Sequence, residues 1–170
     1  MSPALAAEFK DFHRFHTTRF FGQQGEPIAP VTAAKYADHL RGLLGYMHAE
    51  RGVPLADLSL RAAIPSAKRQ GVSIAFDYIQ WLYRERDISV RTEGLVVRSV
   101  MAAAKWLYHD ESVMEVASGD KPYSDLELVR ELRKMSNSSK KASKVAARSS
   151  GGQAVWLAFR TRYGQVSVSF

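Results

Sequence analysis

The chain has 170 residues, 46% of them hydrophobic and 24% charged, which suits one globular domain with a proper core. It has no cysteine, so disulfides, cysteine metal sites and a thiol nucleophile are excluded. The net charge is +7, and because charges balance over residues 1–120, the whole excess falls in residues 121–170. A basic tail on a neutral body suggests contact with nucleic acid, the tail supplying sequence-independent attraction to phosphate; the plainer alternative is a solubilising tail. No apolar run approaches the ~18 residues that span a bilayer. The start lacks a secretory apolar core and carries Glu8 and Asp11. An intracellular chain with no membrane partner is expected.

Residues 3–21 fit a helix with Leu5, Phe9, Phe12, Phe15 and Phe20 as apolar points. His13 and His16 are three apart, but no acidic or cysteine cluster joins them, so they make no metal site by sequence. The turn-rich segment 22–30 sets this helix apart as an N-terminal appendage of residues 1–29. Residues 32–51 form a second helix, with Tyr36, Leu40, Leu43, Leu44 and Met47 on one face. Thr32 is placed to cap it and Gly52 to stop it.

Residues 60–64 can form one helical turn before Pro65. Residues 66–86 give a third helix with Ala75, Ile79, Leu82 and Tyr83 inward; Trp81, off that stripe, could stack on a base, but a helix–helix seam is the commoner place for it. The clearest helix is 89–108. Val97, Val100, Met101, Ala104 and Tyr108 share its apolar face; Arg91, Arg98 and Lys105, spaced by seven, share another. A helix that buries one side and aligns cations on another can pack in a bundle and lie on a polyanion, although such cations are commonly just solvated. Tyr36, Leu40, Leu44, Ile79, Leu82, Val97, Val100 and Ala104 are the expected core.

Ser124-x-x-Glu127 reads as a capping box opening a helix through Leu128, Leu132 and Met135. The apolar pattern fades there, so 30–135 is the expected domain and 136–170 a flexible basic arm carrying Lys140, Lys141, Lys144 and Arg148. A small hairpin around Tyr163-Gly164 is expected within the tail.

Two of these segments, with a third between them, resemble a family. Thr32-x-x-x-Tyr36-x-x-x-Leu40 with Leu43 and Leu44 is similar to the first helix of the core-binding domain of tyrosine recombinases, the phage-integrase type. Ser89-x-x-Thr92, opening a helix that ends Lys105-Trp106-Leu107, resembles that domain's last major helix, and residues 77–82 resemble its middle helix. Met101 stands where such helices often carry an arginine. The resemblance covers roughly residues 30–109 and implies an all-α, SAM-like bundle of four to five helices that sits on duplex DNA.

It implies DNA contacts from Thr32, Lys35 and His39 on the first helix and from Arg91, Thr92, Arg98 and Lys105 on the last. Lys68 and Arg69, flanking the middle helix, are candidate phosphate contacts, as are the arm cations Lys140, Lys141, Lys144 and Arg148. The family's catalytic half, a tyrosine nucleophile with an arginine, lysine and histidine cluster, has no counterpart. His16-x-x-Arg19 matches its His-x-x-Arg string but precedes the domain, and no histidine follows His109. The expectation is a non-catalytic DNA-binding module needing no cofactor or metal. The rivals are a helical protein-interaction adaptor and an RNA-binding or ribosome-associated protein.

Overall fold

The computed structural model describes residues 2–19, 25–112 and 121–148, the last three of these by backbone alone. The described residues form six α-helices and two single 3-10 turns, with no strand among them, so the all-α expectation holds. The helices are α1 (Pro3–Thr17), α2 (Pro30–Ala49), α3 (Leu60–Ala63), α4 (Lys68–Arg86), α5 (Val90–Leu107) and α6 (Glu127–Arg148).

α5 is the hub: it packs against all five other helices. Its start is fixed by Ser89, whose hydroxyl accepts the Thr92 N–H at 3.2 Å and so satisfies one of the free donors of the first turn. Its middle is slim. Ala102, Ala103 and Ala104 are buried beside Val96, Val97 and Val100, and small side chains let neighbours approach from several sides. Leu40 and Leu43 from α2, Ile79 from α4 and Leu132 from α6 complete the core. Each such buried aliphatic contributes about 1.5–3 kcal/mol. Of the expected core, Tyr36 and Leu82 are only half-buried. Trp81 lies at the seam, its ring 5.6 Å from that of Tyr46 and 6.1 Å from that of Tyr78. The α4 chain ends at Asp87, which takes the left-handed conformation a short polar side chain tolerates.

Three expectations are corrected. The first helix is no appendage: Leu5, Phe9 and Phe12 are buried in the shared core, and Glu8 accepts the Leu60 N–H at 2.8 Å, capping α3 from outside. The segment after it is tied down at Ile28, whose N–H donates to the His16 carbonyl at 2.8 Å; residues 20–24 lie outside the described set. Apolar aromatic points outweighed the turn-rich break. Second, neither expected N-terminal cap forms, although Gly52 takes the left-handed conformation of the expected stop after α2. α2 begins two residues before Thr32, at Pro30, because proline suits a first turn and its missing N–H costs nothing there. Ser124 turns its hydroxyl back to the Lys121 carbonyl, and α6 opens at Glu127 instead.

Third, the boundary at 135/136 does not exist. α6 runs on to Arg148, so the first part of the expected flexible arm is helix. The inner stripe continues with smaller residues: Leu128, Leu132, Met135, Ser139 and Ala142 follow helical spacing, and Ser139 is buried. The expected hairpin lies outside the described residues.

Candidate nucleic-acid interface

Where α6 crosses α5 the two helices leave a groove of about 280 Å³. Arg91, Gly94 and Arg98 line it from α5; Ser136, Lys140, Ser143 and Lys144 line it from α6. The spacing explains both sets. Positions 91, 94 and 98 are i, i+3 and i+7, while 136, 140, 143 and 144 are i, i+4, i+7 and i+8, so each set shares one helix face. The groove carries four cations, two hydroxyls and no carboxylate.

Several cations elsewhere have carboxylate partners, although among the described residues Lys35, Arg69, Arg86 and Lys141 stand apart from any carboxylate. Arg14 meets Asp11, Arg41 meets Asp38, Arg51 meets Asp77, Arg61 meets Glu111 and Arg84 meets Glu85. Among the described residues, Arg91, Arg98, Lys140 and Lys144 pair with no carboxylate. An uncompensated cluster of one sign in a concave surface raises the local concentration of anions. Guanidinium forks can bind a phosphate at two oxygens and ammonium groups as point charges.

A buried polar knot fixes the two walls. Glu93, 3% exposed on α5, accepts a hydrogen bond from Tyr83 of α4 at 2.6 Å and another from Ser139 of α6. Burial, and then the bond to Glu93, push the Tyr83 phenol above its ordinary range, so it stays a donor. Glu93 precedes Gly94 and Ser139 precedes Lys140, so the knot sets the register in which the groove cations face each other.

The other expected contacts are scattered. Lys105 shares the stripe of Arg91 and Arg98 but does not reach the groove. It sits over the Tyr123 ring at 5.7 Å, where burial, then the charge of Arg133, lower its pKa. Lys68 is engaged by Glu127 at 2.9 Å and Glu131 at 3.8 Å, so it joins α4 to α6. Arg69 and Lys35 are exposed, as is Lys141, which lies outside the groove. Thr32 and His39 are half-buried on α2, and burial lowers the His39 pKa. Thr92 bonds Ser89 at the start of α5. The Arg148 side chain lies outside the described residues.

His16 points inward, within 3.0 Å of the Ala102 carbonyl, as Nε2–H donating. Burial is the main reason its pKa falls to about 4; the Ala102 bond opposes this and the Lys105 charge adds to it. It is a neutral core histidine. Among the described residues no three histidine or acidic side chains converge as a metal site, and no helix is long and apolar enough to cross a membrane.

Sequence reasoning missed Gly94, Ser136 and Ser143 as lining residues and the Tyr83–Glu93–Ser139 knot. The available signal was the helical spacing of Leu132, Met135 and Ser139, which carries α6 into the serine-rich stretch. No family model, curated protein or solved structure matches the chain.

Proposed function

We propose that the chain is a non-catalytic DNA-binding module that lays the α5–α6 face on the phosphates of duplex DNA. The observation that supports this is the groove itself: four cations from two helices gathered in one concave surface with no carboxylate among its lining residues. The resemblance of residues 30–109 to the core-binding domain of tyrosine recombinases points the same way, since the last helix of that domain corresponds to α5. Phosphate contacts of this kind position a protein on DNA; Arg91 and Arg98 are also able to read guanine edges.

The test is a titration against duplex DNA, single-stranded DNA and RNA at two salt concentrations. Duplex binding that weakens steeply with salt is expected, and Arg98→Gln with Lys140→Gln should weaken it further. Preference for RNA would replace DNA with the RNA-binding reading. Absence of binding to any nucleic acid would leave a protein-interaction bundle.

A further inference from the structure

We propose that the α5–α6 groove seats one phosphate group, and that this group clamps the second half of α6 onto α5. The inference rests on the reading that the groove faces a polyanion, and adds what it holds and what holding does.

α6 consists of two unlike halves. Its first half buries Leu128, Val129 and Leu132; beyond Met135 the buried side chain among the described residues is Ser139. A stretch held by a serine gains little from the hydrophobic effect, so its docking is weak by comparison. That stretch also carries Lys140 and Lys144 to face Arg91 and Arg98. The four like charges facing one another across the groove repel, and the Ser139–Glu93 bond works against that repulsion.

An anion reverses the sign. A phosphate presents several acceptor oxygens and up to two negative charges, matching two guanidinium forks, two ammonium groups and the hydroxyls of Ser136 and Ser143. A single carboxylate has two oxygens and one charge; a phosphomonoester exceeds it in both, and an internal phosphodiester, also singly charged, exceeds it in oxygens. A ligand bound only when α6 is docked stabilises the docked state by mass action. The phosphate belongs either to an internal phosphodiester or to a terminal phosphomonoester of the nucleic acid.

The test is amide hydrogen exchange on the full chain in sodium phosphate and in sodium chloride at equal ionic strength. At phosphate ten times its Kd, amides of residues 136–148 should exchange about tenfold more slowly, with α2 unchanged. Arg98→Gln and Lys140→Gln, each a substitution to a good helix former or at a solvent-facing groove position, should abolish that protection without loss of far-UV helix signal. Absence of protection, or equal slowing throughout the chain, overturns the inference; if duplex still binds, the DNA reading stands without it. Protection by phosphate with no duplex binding upholds the site and overturns the DNA reading. Duplexes with and without a 5′-phosphate then assign the source: stronger protection by the phosphorylated end means a phosphomonoester, equal protection the backbone.

Discussion

Ser139 on α6 donates a hydrogen bond to Oε1 of Glu93 on α5, while Oε2 of the same carboxylate accepts from Tyr83 on α4. One buried acid therefore joins three helices, and both its oxygens are served by hydroxyls rather than by a cation. Removing one donor leaves a carboxylate oxygen unsatisfied inside the protein, a cost of about 1–3 kcal/mol. Ser139→Ala and Tyr83→Phe should each destabilise by that amount in urea unfolding. Because both act on Glu93, the double variant should depart from additivity by about 0.5 kcal/mol or more. Single variants within ~0.5 kcal/mol of wild type would show that the knot sets register without stabilising the fold.

His16 gives the protein an acid-side stability slope. Its folded pKa is about 4 against 6.5 for the free side chain, chiefly through burial, so the unfolded chain takes up a proton that the folded chain refuses. The contribution is fully present above pH 6.5, declines as pH falls through the window from 6.5 to about 4, and is gone below it. Its full size is about 3 kcal/mol. His16→Gln, which keeps a donor for the Ala102 carbonyl, should lose this part of the slope. Denaturant midpoints at pH 7 and pH 4.5 for both proteins measure the difference; equal slopes would mean His16 is protonated in the folded state.

Two helical glycines should respond in opposite directions. A Cβ on Gly71 would lie 2.6 Å from the Pro65 carbonyl oxygen and 2.8 Å from Leu128 Cδ1. Backbone on one side and core on the other leave no room, so Gly71→Ala should cost about 1–3 kcal/mol as α4 is pushed off α6. Gly45 on α2 has nothing within 4 Å of its Cβ position. Gly45→Ala should stabilise by about 0.5–1 kcal/mol through helix propensity alone. Thermal melts of the two variants provide the comparison, and a shift of Tm in the same direction for both would contradict this packing.

Much of the fold was legible because apolar stripes at helical spacing survive as buried faces: Leu40, Leu44, Val97, Val100 and Ala104 are all in the core. What misled was local chemistry that tertiary contacts override. Thr32 and Ser124 have the residue type of a cap, but Pro30 opens α2 earlier and the Lys121 carbonyl takes the Ser124 hydroxyl. Phe9 and Phe12 lie before a turn-rich break, yet a break in the chain does not separate side chains in space. The candidate site was half legible. Arg91 and Arg98 follow from spacing on α5, and Lys140 and Lys144 were legible only as arm cations; their place on a helix facing α5 was hidden because Ser139 occupies an inner position where an apolar residue marks a helix. Tyr123, buried with its φ at 59°, has no periodic neighbour to announce it.

The placement of α6 separates two lysines that are adjacent in sequence and equal in charge. Lys140 lines the groove with Arg98, while Lys141, one residue on and about 100° around the helix, is exposed outside it. A purely flexible arm would use them alike. A docked helix would not. If duplex DNA lies against the groove, Lys140→Gln should lower the salt slope of binding by nearly one unit, and Lys144→Gln likewise. Lys141→Gln should change it much less, since screening within about 10 Å at 0.1 M salt limits its reach to the bound phosphates. Arg98→Gln should cost about 1–3 kcal/mol on a preferred site if its fork reads a base, and less on random duplex. The measurement is a set of competition titrations of the four variants at two salt concentrations, on selected and random duplexes. Equal losses for Lys140→Gln and Lys141→Gln, with Arg98→Gln silent, would show that α6 acts as a loose polycation and that the groove between α5 and α6 is not where DNA sits.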